Sequence, residues 1–68
     1  MAEITKGARI ELLAMPQDPN PIPSGTQGTV IDSTAVHLGA EHFTQILVQW
    51  DTGRTLSCVT PPDRIRIL

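Results

Sequence analysis

Val48-Gln49-Trp50-Asp51-Thr52-Gly53-Arg54-Thr55-Leu56 reads as a strand, a tight turn and a second strand, and this stretch decides the fold. Within Gln45-Ile46-Leu47-Val48-Gln49-Trp50, the two-residue period of a strand puts Ile46, Val48 and Trp50 on one face. Gln45, Leu47 and Gln49 share the other. Asp51-Thr52-Gly53 suits a type I turn ending in a left-handed Gly53, which sets Arg54 across from Trp50. The next strand runs from about Arg54 to Val59, and Pro61-Pro62-Asp63 then suits one 3₁₀ turn, since proline is tolerated in a first turn. Ile65 and Ile67 follow as the inward side of a closing strand, with Arg64 and Arg66 outward.

Working toward the N-terminus, Gly28 to Ser33 forms a strand carrying Val30 and Ile31, and Thr34 to His42 reads as a polar connector turning at Gly39. Residues 15–27 hold Pro16, Pro19, Pro21 and Pro23, followed by Ser24-Gly25. Proline removes backbone donors and biases its predecessor toward extended geometry, so this is an ordered loop. Gly25 and Gly28 are expected to supply backbone conformations that other residues adopt only under strain. Arg9-Ile10-Glu11-Leu12-Leu13-Ala14 alternates as a half-buried strand with Ile10, Leu12 and Ala14 inward; Gly7 before it and Pro16 after it leave little room for a helix.

The order is thus strand, long proline-rich loop, three meandering strands, 3₁₀ turn, short strand. That is an all-β, five-stranded SH3-like barrel over residues 7–68 behind a short tail, residues 1–6. An oligonucleotide-binding barrel is the rival; it often inserts a helix between its third and fourth strands, for which Asp51-Thr52-Gly53 leaves no space.

Gly7-x-Arg9-Ile10, Met15-Pro16, Pro21-Ile22-Pro23-x-Gly25, Gly28-Thr29-Val30 and Trp50-Asp51-x-Gly53-Arg54-x-Leu56, then Asp63, follow one another in a pattern with a counterpart elsewhere. The pattern resembles a family of small bacterial and phage proteins catalogued as a domain of unknown function. The likeness runs from about Lys6 to Leu68, and Thr34 to Thr44 is longer and more polar than the family pattern. The resemblance implies an SH3-like barrel and implies no activity.

Composition narrows function by exclusion. Five Lys+Arg stand against seven Asp+Glu, giving a formal charge of −2, whereas nonspecific nucleic-acid binders carry a basic surplus to neutralise phosphate. Phe43 and Trp50 are the aromatic inventory, too few for an aromatic groove or cage. One cysteine, Cys58, excludes an internal disulfide and suits a reducing, cytoplasmic setting; the start lacks the apolar core of an export signal.

Candidate chemistry is sparse. His37, His42 and Cys58 do not reach the paired close spacing of a zinc site, so no metal or cofactor is expected. Cys58 shares parity with Leu56 and reads as core filler, a structural role also assigned to Ile46, Val48, Ile65 and Ile67, and to Pro23, Gly25, Gly28 and Gly53 in the backbone. Gly25-Thr26-Gln27-Gly28-Thr29 precedes a strand and lacks a lysine, which rejects a phosphate loop. The prolines fit a rigidified loop better than a polyproline ligand, because no basic residue flanks them. Asp51 or Asp63 could serve as an acid or base, but nothing pairs either with a nucleophile.

What remains is a candidate binding surface of Trp50, Asp51, Arg54, Arg64 and Arg66, with Trp50 readable either as the core plug or as a rim aromatic. The leading expectation is a non-enzymatic module making protein contacts or self-associating, helped by apolar loop residues Leu13, Met15 and Ile22. A weak nucleic-acid-binding barrel using an arginine patch is the alternative. No membrane partner is expected.

Overall fold

The structure, a computed structural model, describes residues 4–68. Five antiparallel strands form one sheet: β1 (Arg9–Ala14), β2 (Gln27–Leu38), β3 (Glu41–Trp50), β4 (Thr55–Thr60) and β5 (Arg64–Ile67), in the order β4-β3-β2-β1-β5. Of the expected tail, residues 1–3 lie outside the described residues, and Ile4 packs against the core.

The inner face is built as the alternation requires. Ile10 and Leu12 of β1, Val30 of β2, Ile46, Val48 and Trp50 of β3, and Cys58 of β4 are all buried. Trp50 is 1% exposed, and its indole Nε1–H donates to the Leu56 carbonyl at 3.3 Å, which satisfies the one polar atom its burial would strand. Gly53 has φ +98° and donates to the Trp50 carbonyl, while Trp50 N–H donates to Arg54. That is a type I turn with a left-handed glycine, and it fixes the β3–β4 register.

Gly28 earns its place differently from the expectation. Its φ is not in the left-handed region; a Cβ there would sit 2.6 Å from Val48 Cγ1 and 2.9 Å from Trp50 Cε3. The requirement is close approach of β2 to the core side chains of β3, not backbone freedom. Gly25 does sit at φ +91°, where its N–H reaches the Leu12 carbonyl.

Three expectations are corrected. First, the sheet does not close: among the described residues β5 pairs only with β1, through Ile10↔Ile67, Glu11↔Arg66 and Leu12↔Ile65, and β4 pairs only with β3. Ile65 packs on the core but Ile67 stays 39% exposed, because no strand covers its far side. The loop contributes to the core. Met15 and Ile22 are 6% and 2% exposed, members of the core and not apolar surface; Leu13 alone of the three stays out.

Second, Thr34 to His42 is not a connector. β2 continues to Leu38, the chain reverses across Gly39-Ala40, and β3 begins at Glu41. Gly39 has φ +60° while Ala40 does not, which fits a two-residue type II′ turn, whose twist matches that of the strands it joins. Third, residues 61–63 form a turn and not a 3₁₀ segment. Asp63 N–H reaches back four residues to the Val59 carbonyl, while its Oδ2 accepts from Val59 N–H at 3.0 Å; a 3₁₀ bond would span three.

Cys58 is fully buried, and burial, with the charges of Asp63 and Asp18 adding to it, pushes its thiol from the ordinary 9.0 up to about 12. A thiol held protonated is a poor nucleophile, in keeping with a packing role. The unfolded chain loses this proton first, so above about pH 9 the folded state binds more protons and stability falls as pH rises toward about 12. Urea midpoints should therefore drop between about pH 9 and about pH 11 in the wild type, and drop less steeply in Cys58→Ala. Parallel slopes would remove Cys58 as the cause.

Candidate interaction surface

The five residues of the expected surface do not converge. Trp50 is inside, because parity with Ile46 and Val48 turns it to the core. Asp51 is held by Arg9, whose guanidinium donates from Nη1 at 2.9 Å and Nη2 at 2.6 Å, one to each carboxylate oxygen. This fork holds the Asp51 carboxyl below, and the Arg9 guanidinium above, their ordinary values. Arg9 also donates to Thr29 Oγ1 and Gln27 Oε1, so one side chain of β1 ties β2 and the β3–β4 turn together. Arg54 donates to the Asn20 carbonyl at 3.0 Å, tethering the proline-rich loop to the start of β4. Arg66 pairs with Glu11 on the neighbouring strand, and Arg64 is exposed on the same face. The arginine patch of the sequence reading is thus divided, with two neighbouring arginines on β5 and Arg54 bound at another edge.

What the sequence did not reveal is an arm. Beyond Val30, β2 leaves β1 behind, and beyond Thr44, β3 has no β4 partner, so among the described residues the end of the β2–β3 hairpin stands alone as a two-stranded ribbon. At about 3.3 Å per residue, residues 36–38 extend it by roughly 10 Å, and the molecule's longest dimension is 35 Å. One face pairs Val36 with Phe43, both half-buried, and ends in Leu38, which is 60% exposed. On the other, His37 and His42 meet edge to face with ring centroids 4.5 Å apart. A Gly-X pair between runs of alternating residues was the signal that could have disclosed this hairpin.

A family model described as a domain of unknown function, DUF4314, matches residues 2–68. The chain belongs to the DUF4314 family. No curated protein and no solved structure matches it.

The DUF4314 chain treats its sheet edges unequally. On β5 the edge is four residues long and carries Arg64 and Arg66, charges that discourage further pairing. On β4, Asp63 occupies both backbone groups of Val59, and the loop residues Gln17 and Asp18 line a concavity of about 330 Å³ with Ser57 and Val59. On β2, Gly7 and Ala8 bond Val30, and among the described residues nothing in the ladder continues past it. Ser33-Thr34-Ala35-Val36-His37-Leu38 contains no lysine, arginine or proline to blunt that edge. Among the described residues no helix is long and apolar enough to cross a membrane, and no group of three or more metal-ligating side chains gathers.

Proposed function

We propose that this DUF4314 chain is a non-enzymatic, SH3-like interaction module of the cytoplasm that contacts protein through its β2–β3 arm. The observation carrying this reading is the β2 edge that no described residue pairs past Val30, beside an exposed Leu38, on a molecule whose other described edges carry charge or are met by Asp63 and the loop. An edge with unpaired N–H and C=O groups takes up extended chain by strand addition, the most direct use of such a surface. Met15 and Ile22, being core residues, play no part in it. Nucleic-acid binding gains little support, since Arg66 is paired with Glu11 and Arg54 is bound to the loop.

Trimming the arm tests the reading. Replacing residues 35–44 by Asn-Gly joins Thr34 to Gln45 across a two-residue turn while leaving every buried core residue in place. The trimmed chain is expected to melt cooperatively and to lose association at least about tenfold, as judged by sedimentation and by capture of stoichiometric protein from the native host. Unchanged association in the trimmed chain would count against the arm. Salt-sensitive binding of nucleic acid by the intact chain would favour the other partner class.

A further inference from the structure

We infer that the occupant of the β2 edge is a second copy of this chain, paired antiparallel to itself about a two-fold axis at Val36. This rests on the interaction-module reading above and names its partner.

The direction of each backbone group follows from bonds already described. Val59 turns its N–H and C=O away from β3, toward Asp63, so Gln45 opposite it turns its own toward β2. Thr34, the partner of Gln45, therefore faces β3, as do Val36 and Leu38 by alternation. Ser33, Ala35 and His37 are left facing outward. The Ser33 N–H is met by Asp32 Oδ1 at 2.9 Å. Ala35 and His37 are thus the two outward residues of the arm that lie beyond this cap.

An antiparallel copy engages both when Ala35 of one chain faces His37 of the other, and that register places Val36 opposite Val36. Each chain then gives and receives backbone bonds at both residues. Side chains agree with this register. Val36 meets its own copy next to Phe43 on each chain, extending one apolar row across the axis, and Thr34 meets Leu38 and covers it. No like charges fall opposite each other, since residues 33–38 carry no Asp, Glu, Lys or Arg. A ribbon of two strands, marginal alone, becomes a four-stranded sheet. Its contact is small, so the dimer is expected to be reversible and concentration-dependent.

Three variants of the full chain test it. Ala35→Pro deletes an outward N–H that no described residue of the single chain pairs, and proline is tolerated at such edge positions. Sedimentation should show the dimer's dissociation constant raised by about tenfold to about a hundredfold, with the melting temperature of dilute protein little changed. Val36→Cys should form an intermolecular disulfide under mild oxidation, because opposed residues of a non-hydrogen-bonded pair lie about 4.5 Å apart at Cα. Thr34→Cys should not, and if Ala35→Pro fails to fold, this cysteine pair decides alone. A dimer that ignores Ala35→Pro and cross-links no better through Val36→Cys than through Thr34→Cys overturns the inference while leaving an interaction module standing. So does a monomer whose arm is needed to capture a different protein. A strict monomer that captures nothing sinks both.

Discussion

Replacing Trp50 by alanine is expected to remove a large share of this chain's stability. The indole is the largest fully buried side chain and joins Ile46, Val48 and Leu12 in a core of few members. Truncating a buried aromatic to alanine costs about 3–5 kcal/mol. Domains hold only about 0.05–0.15 kcal/mol per residue, so a chain this short has roughly 3–10 kcal/mol to lose. Trp50→Phe separates packing from hydrogen bonding: it retains a ring and removes the Nε1–H that reaches Leu56. Since Leu56 also pairs in the ladder with Val48, the phenylalanine variant should fold, about 1–2 kcal/mol less stable. Urea titration followed by far-ultraviolet circular dichroism reads both. A midpoint for Trp50→Ala close to that of the wild type would mean that the ring is not the plug of this core.

Gly28→Ala is the second large effect, and it works by adding an atom. The new Cβ meets Val48 Cγ1 at 2.6 Å, Trp50 Cε3 at 2.9 Å and the Gln49 carbonyl oxygen at 3.0 Å. Two of those neighbours are core side chains with little freedom and the third is backbone, so β2 and β3 must part locally. Overpacking of this kind costs about 1–3 kcal/mol. Shortening the nearest neighbour should return part of it: in Gly28→Ala combined with Val48→Ala, the loss should be smaller than the sum of the single losses by about 0.5 kcal/mol or more. Strict additivity in that double-mutant cycle would show that Val48 is not what the added methyl strikes.

These two positions also mark how far sequence carried the fold. Alternation through Ile46, Val48 and Trp50 disclosed β3 and its buried face, because a half-buried strand writes its period directly into residue type. Asp51-Thr52-Gly53 disclosed the turn, since a left-handed residue after a tight turn is best filled by glycine. Thr34 to Thr44 stayed hidden for the opposite reason. An arm with solvent on both sides has little apolar contrast between its faces, so threonine, alanine and histidine there resemble a loop. Closure was misjudged because strand count and order do not reveal whether the last strand reaches the fourth, which depends on three-dimensional path. Met15 and Ile22 were misread because a segment rich in proline looks like surface even when its two apolar side chains turn inward.

The expected site fared less well than the fold. Asp51, Arg54 and Arg66 were legible as exposed charge, but their partners Arg9, Asn20 and Glu11 lie 42, 34 and 55 residues away in sequence. Only the folded register brings such groups together. The β2 edge, which carries the functional reading here, is a property of backbone left unpaired and has no signature in side-chain chemistry.

Sealing the interior with the segment between β1 and β2 has an evolutionary corollary. As far as folding goes, descendants of this chain can lengthen at Gly39-Ala40 with little penalty, whereas any insertion among residues 15–22 pulls a stopper out of the protein. Variation in size among such sequences should accordingly gather at the hairpin tip, and an engineer grafting a foreign peptide should choose that tip too.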